Sequence, residues 1–217
     1  DKFKQYYEQI LVWNTKVNLT SITDYTEVQK RHFLDSLTPA LAISSVTLES
    51  GRFVDIGTGA GFPGIPLKIA YPNLNATLIE ATNKKVNFLK NVKTLLGLNQ
   101  LTVLNDRSEK LAHIDDLRGR FDFVVTRAVS SIAVMAELAL PFCRLGGRVI
   151  LQKKTDVENE LDSACQSIQA MGGMVKEVKE IHIRDLEEAR VLVVLEKIGP
   201  TPKSHPRRPG IPQKRPL

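Results

Sequence analysis

Cysteine is nearly absent from this chain, and Cys143 and Cys165 are not spaced as a metal-binding pair. Both fall in stretches that read as helices, so they are expected to be small, reduced core residues of a cytosolic protein. The histidines His32, His113, His182 and His205 form no H-x-H or H-E-x-x-H pattern, and no metal site is expected. No apolar run reaches the roughly 18 residues of a membrane span. The strongest candidate, between Ile132 and Phe142, is interrupted by Glu137 and Pro141. With no leader pattern evident either, the expectation is a cytoplasmic protein that does not enter the membrane, and a monomer.

Acid is missing from one region only. Residues 199–217 carry Lys203, Arg207, Arg208, Lys214 and Arg215 with no acidic residue, which is five of the net +6 and leaves the rest almost neutral. Six prolines in the same segment oppose helix formation. A basic, proline-rich tail on a neutral body suggests a polyanionic partner, because lysine and arginine neutralise phosphates and release counterions. The opposing reading is a strap packed on the body, with Ile211 and Leu217 as its apolar anchors.

A length of 217 residues, 42% of them hydrophobic, suits one domain with small additions. Residues 1–50 read as an amphipathic helical extension, with Phe3, Tyr7, Ile10, Leu11 and Val17 near helical spacing. From 51 to 198 strands alternate with helices. Strands are expected at 53–56, 76–80, 101–104, 121–125 and 147–151, with helices at 63–70, 83–96, 108–112 and 130–142 between them. A further helix, from Val157 to Met171, stops at Gly172-Gly173. The runs Val175 to Ile183 and Arg190 to Glu196 are joined by a short charged linker, Arg184 to Glu188, which permits a hairpin and not a parallel crossover. The expectation is an α/β, doubly wound fold with a seven-stranded mixed sheet.

The decisive stretch is Phe53-Val-Asp-Ile-Gly-Thr-Gly-Ala-Gly-Phe-Pro-Gly64, a buried strand that breaks into a glycine-dense turn and enters a helix at Pro63. Gly57, Gly59 and Gly61 allow turn conformations and close backbone approach to a ligand. A dinucleotide fingerprint starting at Gly57 needs a third glycine at position 62, where this chain has Phe62. That argues against a nicotinamide-dependent oxidoreductase. Asp55 also suits an ammonium group better than a pyrophosphate, so S-adenosylmethionine fits best. Glu80, ending the next strand, stands near the spacing of about 20 residues at which a carboxylate reaches ribose hydroxyls.

These residues resemble a known family. Asp55-Ile-Gly-Thr-Gly-Ala-Gly-Phe-Pro-Gly-Ile-Pro66, Trp13-Asn-x-x-x-Asn-Leu-Thr20, His32-Phe-Leu-Asp-Ser-Leu37, Thr126-Arg-Ala128 and Thr201-Pro-Lys-x-x-Pro-Arg-x-Pro-Gly-x-Pro-x-x-x-Pro216 are similar to segments of the bacterial small-subunit ribosomal RNA guanine-N7 methyltransferases, also known as glucose-inhibited division protein B. The resemblance runs from about Trp13 to Leu217 and implies a Rossmann-like class I methyltransferase that modifies N7 of a guanine in 16S ribosomal RNA, within the small subunit or a precursor. It implies cofactor contacts at Gly57 and Phe62 and an adenine bracketed by Ser108-Glu109, where the family has alanine in place of serine. It places a functional arginine at Arg127, past the fourth strand, able to hold a carboxylate or phosphate.

Two further absences narrow the chemistry. The fourth strand is followed neither by the Asn/Asp-Pro-Pro-Tyr loop of exocyclic amine methylation nor by the nucleophilic cysteine of cytosine C5 methylation. Guanine N7 already presents a lone pair, so catalysis by proximity and electrostatics is expected, without a dedicated base. Asn14, Asn18, His32 and Asp35 are candidates for the guanine side, against caps and an i, i+3 surface pair. Lys153 and Lys154 are either RNA contacts or a solvated edge, and Trp13 is read as core. The rival from another class is a non-catalytic RNA-binding or assembly protein, disfavoured by the intact glycine turn and Glu80.

Overall fold

The computed structural model describes residues 1–127, 130–154, 157–183 and 189–217. The linker at 184–188 and Ala128 lie outside the described residues. The chain opens with α1 (Lys2–Asn14), followed by a helical run of α2 (Tyr25–Val28), a π-helical turn (Gln29–Leu34), α3 (Asp35–Leu37) and a 3-10 turn (Thr38–Ala42), and then by α4 (Ser45–Ser50). Next come β1 (Arg52–Ile56), α5 (Gly64–Ala70), β2 (Asn75–Ile79), α6 (Asn83–Leu95), β3 (Leu101–Leu104), α7 (Ser108–Leu111) and β4 (Phe121–Arg127). The remainder is α8 (Ile132–Ala139), β5 (Cys143–Lys153), α9 (Glu158–Ala170), β6 (Gly173–Ile181), β7 (Arg190–Lys197) and α10 (Ile211–Lys214).

The seven strands form one sheet in the order β3-β2-β1-β4-β5-β7-β6. Pairing is parallel from β3 through β5. It turns antiparallel where β7 joins β5 and β6 joins β7. The strands β1, β2, β4 and β7 are apolar because both faces are covered, and successive side chains enter opposite layers, whereas the edge strand β6 is mostly exposed and charged. Phe53, Phe123, Ile150 and Leu192 pack in one layer with Tyr6, Phe33, Ile65 and Phe88. Their neighbours Val54, Val124, Val149 and Val193 pack in the other with Ile132, Met135, Leu140 and Ile168. The N-terminal segment is therefore a builder of the first layer, through Tyr6 and Ile10 on α1 and Phe33 on the π-helical turn.

Several boundaries differ from those expected. The helix expected to reach 142 ends at Ala139, and β5 begins at Cys143, four residues before the expected strand. Cys143 is a buried strand residue rather than a helical one, and Cys165 on α9 is exposed rather than core. The apolar face of α1 is centred on Tyr6 and Ile10, with Phe3 and Tyr7 half-buried. Trp13 is half-buried against Phe88, with ring centroids 5.7 Å apart.

The tail lies against the body, with anchors other than those expected. Glu137, 1% exposed on α8, binds Arg207 through both carboxylate oxygens, and its Oε1 also accepts the Arg207 backbone N–H at 2.8 Å. Arg118 donates to the carbonyls of Thr201, Pro202 and His205. Pro212 is the buried apolar residue of α10, whereas Ile211 and Leu217 stay exposed.

Candidate functional site

The order of the strands reverses between β1 and β4, and a doubly wound sheet offers its ligand crevice outside the carboxyl ends of the strands at such a point. Two cavities open there. The first, about 540 Å³, is lined by Gly57, Gly59, Glu80, Ser108, Glu109 and Met135, and on its far side by the tail residues Gly210, Pro212, Gln213 and Lys214.

The turn after β1 is fixed by backbone bonds: the N–H groups of Gly57 and Thr58 both donate to the Ile79 carbonyl, at 3.0 and 3.2 Å. Gly57 and Gly59 have φ of 68° and 60°, the left-handed region that glycine enters without a Cβ penalty. Glu80 closes the arrangement. Its Oε2 accepts the Gly59 N–H at 3.0 Å and its Oε1 the Thr82 N–H at 2.8 Å, so the carboxylate is held at both ends. Each oxygen keeps a second lone pair for a donor in the cleft.

Beneath the turn Asp55 is fully buried. Its Oδ2 accepts from the Thr58 hydroxyl at 2.5 Å and the Gly64 N–H at 2.8 Å, while Oδ1 has no hydrogen-bond partner. Burial pushes its pKa up to about 7, against the pull of those two bonds and of Arg127. Asp55 organises the turn from below and does not line the cleft.

Gly61 and Phe62 lie away from this cleft. A Cβ on Gly61 would meet Ile65 Cδ1 at 2.5 Å and the Tyr6 hydroxyl at 2.8 Å, so the glycine there serves helix packing. Phe62 is buried in an aromatic cluster with Tyr6, Phe33 and His32, and its ring stacks on His32 at 4.6 Å. Over the same ring lies the Arg127 guanidinium, 4.8 Å from the centroid.

Arg127 leads into the second cavity, about 240 Å³, lined by Ile22, Arg31, His32, Asp35, Arg127, Gln152, Lys153, Lys154 and Arg190. The π-helical turn sets Arg31 and His32 beside Asp35 at its rim, a use of π geometry common at functional sites. Asp35, 3% exposed, is clamped between Arg127 Nη1 at 3.3 Å and Arg190 Nε at 3.2 Å. Burial raises its pKa in spite of both guanidinium groups. Gln152 Nε2 donates to the Asp35 carbonyl at 2.7 Å and to Thr38 Oγ1 at 3.0 Å.

His32 contacts Thr20 Oγ1 through Nε2 at 2.7 Å, and its pKa is pushed down to about 4 by burial and by the neighbouring Arg127 charge. It is neutral at pH 7. His32 and Asp35 thus belong to the cavity and are not a surface pair, whereas Asn14 turns the chain by bonding the backbone of Leu19 and Thr20. Asn18 is exposed and outside the cavity lining. Lys153 lines the cavity while paired with Glu160 at 2.8 Å.

Arg31, Gln152, Arg190 and the tail residues of the cleft wall do not stand out in the sequence as site residues. The available signals are an arginine opening the apolar strand Arg190–Lys197 and an acid, Glu137, inside the apolar helix Ile132–Ala139.

The model of the rRNA small subunit methyltransferase G family matches residues 1–190. The chain belongs to this family. Among relatives named ribosomal RNA small subunit methyltransferase G, that of Dehalococcoides mccartyi strain BAV1 is 44% identical over 216 residues, 100% of this chain and 91% of the relative. That of Lactobacillus johnsonii is 40% identical over 216 residues, 100% of this chain and 90% of the relative. Solved structures share the fold. M. jannaschii TYW2 in complex with AdoMet, 18% identical, has a TM-score of 0.57 over 76% of each chain.

This member of the methyltransferase G family is an S-adenosylmethionine-dependent rRNA methyltransferase with a seven-stranded class I fold. Its first cavity fits the cofactor: bare glycine backbone on one side, an oriented carboxylate able to accept two hydroxyl donors, and a volume suited to a nucleoside.

Proposed function

We propose that this methyltransferase holds S-adenosylmethionine in the first cavity and methylates N7 of a guanine of 16S ribosomal RNA presented through the second. Gly57 and Gly59 would face the cofactor with backbone, Glu80 would take the ribose hydroxyls, and Ser108-Glu109 would border the adenine. Arg127, stacked on the Phe62 ring in the lining of the second cavity, would position the reacting partners. When bound, S-adenosylmethionine supplies an electrophilic methyl group.

The observation that carries this reading is the state of the acid–base groups in the second cavity. Its carboxylate, Asp35, is engaged by two arginines, and its histidine is neutral and hydrogen-bonded. An exocyclic amine would have to lose a proton to a base, whereas N7 attacks through an existing lone pair. Alignment in a desolvated pocket then accounts for the rate.

Methylation leaves positive charge on the guanine ring, so the surrounding cations are better placed on phosphates than on the base. Lys153, Lys154 and Arg31 suit that task. Arg127 is kept from covering N7, because its guanidinium is engaged by Asp35 and the Arg31 carbonyl. With a ribosomal substrate the enzyme would work in the cytoplasm, acting as a monomer on the small subunit or its precursor.

The test is methyl transfer from labelled cofactor to small subunits and to naked 16S rRNA from a strain lacking the enzyme. Borohydride and aniline cleavage of the product, read by primer extension, should give one stop at a guanine. Label recovered on an exocyclic amine or a ring carbon refutes the N7 assignment.

A further inference from the structure

The tail forms one wall of the cofactor cleft, and it is built in two tiers. Residues 201–207 are fastened to the body by the Arg207–Glu137 pair, by Arg118 on three carbonyls, and by His113 Nε2 with the Pro206 carbonyl at 2.9 Å. The distal tier, Gly210 to Lys214, covers the cleft on slighter ties. The Gly210 N–H donates to Glu109 Oε1 at 3.0 Å, Ser130 Oγ donates to Gln213 Oε1 at 3.0 Å, and Pro212 is buried. Between the tiers, Gly210 has φ of 81° and nothing within 4 Å of where its Cβ would stand, an uncrowded turn.

We propose that residues 210–214 are a cofactor clamp hinged at Gly210, and that the Glu137–Arg207 pair is a positioning pair that sets the clamp over the cleft. The inference rests on the first cavity being the cofactor site. The Ser108-Glu109 wall and the clamp share a hydrogen bond, so the clamp fixes the Glu109 carboxylate beside the adenine end. Opening by rotation at Gly210 breaks the Ser130–Gln213 bond and the bond from Arg207 Nη2 to the Arg215 carbonyl but leaves the Gly210 N–H on Glu109 and the Glu137 anchor intact, so the cleft can open without the tail detaching. The basic tail is then a part of the cofactor site first, and its charges need not all be spent on RNA.

The experiment measures S-adenosylhomocysteine binding by calorimetry and its release by stopped flow, in the full chain and in a form ending at Arg208. That truncation keeps the anchored tier. The clamp predicts a loss of affinity of about tenfold or more, carried mainly by faster release, with the unliganded thermal midpoint nearly unchanged. Affinity within about twofold of the full chain in the folded truncation overturns the proposal.

Hydrogen exchange on the unmodified protein decides the matter even if the truncation does not fold. Amides of Ile211 and of residues 213–215 should exchange about tenfold more slowly with S-adenosylhomocysteine bound, and unchanged exchange overturns the clamp. Arg207→Lys, which keeps the charge but loses the forked geometry, should speed release by about threefold, less than the truncation. A variant that lowers the thermal midpoint while leaving release untouched would make the pair purely structural and overturn its positioning role. Glu80→Ala separates the two readings. If it weakens binding while the truncation does not, only the clamp falls; if neither variant changes binding, the cleft assignment falls as well.

Discussion

The two cavities at the carboxyl edge of the sheet are made in opposite ways. The first cavity has one wall of bare backbone among its side chains: glycines at positive φ, and a glutamate fixed by two N–H groups that lie within 21 residues of it in sequence. The second cavity is shaped by long charged side chains, with Asp35 joined to Arg127 and Arg190 across 92 and 155 residues. Backbone geometry is costly to alter and offers one fixed shape, suited to a small ligand that is always the same. Charged side chains offer field and reach, suited to a polyanion that must be drawn in and aligned.

The largest effect should come from breaking the charge clamp. Asp35→Ala removes the buried carboxylate shared by Arg127 and Arg190, and is expected to cost about 3–5 kcal/mol in stability. Cofactor affinity in whatever remains folded should stay within about threefold of the unmodified enzyme, because Asp35 and its arginines do not line the first cavity. Urea unfolding with calorimetry on the same sample measures both; equal damage to the two would erase the distinction between the cavities.

Gly59→Val should act on the other side. A Cβ at Gly59 meets only the Gly57 carbonyl, at 4.0 Å, so the protein has room for it, but φ of 60° is unfavourable for a β-branched residue and the side chain would enter the cleft. Loss of S-adenosylhomocysteine affinity beyond about a hundredfold in a folded variant is expected, and Gly57→Val should behave likewise. Glu80→Ala removes a charge-assisted acceptor and should cost about 1.5–3 kcal/mol of binding, one to two decades. A change below about twofold would reduce Glu80 to a brace for the turn.

The smallest effect compares one titrating group from each region. His32, near 4 in the fold, favours the folded state above its unfolded value and loses that contribution as pH falls from about 6.5 towards 4. Asp55, near 7 in the fold, acts in reverse: its contribution is complete below the unfolded value and is lost as pH rises towards 7. The two slopes oppose between about pH 4 and 6.5 and largely offset one another in the unmodified protein, while Asp35, also raised, adds to the Asp55 side. Asp55→Asn should shift the profile towards the histidine slope, making stability rise more steeply with pH than in the parent by about 1 kcal/mol per pH unit. Chemical denaturation at several pH values measures it; a variant profile no steeper than the parent's would show that Asp55 does not titrate as its burial implies.

What can be read from sequence divides along the same line. The glycine turn and Glu80 lie close together in the chain, and strand periodicity supplies the sheet that carries them. Periodicity overextends the helix at 132–139 because Leu140 and Phe142 continue an apolar pattern past its end. It hides the start of β5 because Arg144, Leu145 and Gly146 are exposed and read as a turn. Asp35 with Arg190 has no local signature, since nothing near either residue announces a partner 155 positions away. The anchors of the tail are illegible because prolines and cations lack an apolar pattern, while its partner, Glu137, stands out only as an acid in an apolar helix.

The Asp35 clamp also bears on how the enzyme comes into being. Contacts that span much of a chain carry the largest loop-closure entropy and tend to form after local ones. The glycine turn, its glutamate and the parallel strands beneath them can assemble while β7 is still unplaced, but the second cavity has no shape until Arg190 arrives. Weak cofactor binding at the glycine turn, still without the tail wall, should therefore precede competence for RNA during refolding. Stopped-flow binding of S-adenosylhomocysteine and of an RNA fragment to refolding protein would separate the two, and simultaneous recovery would show that the sheet closes in a single step.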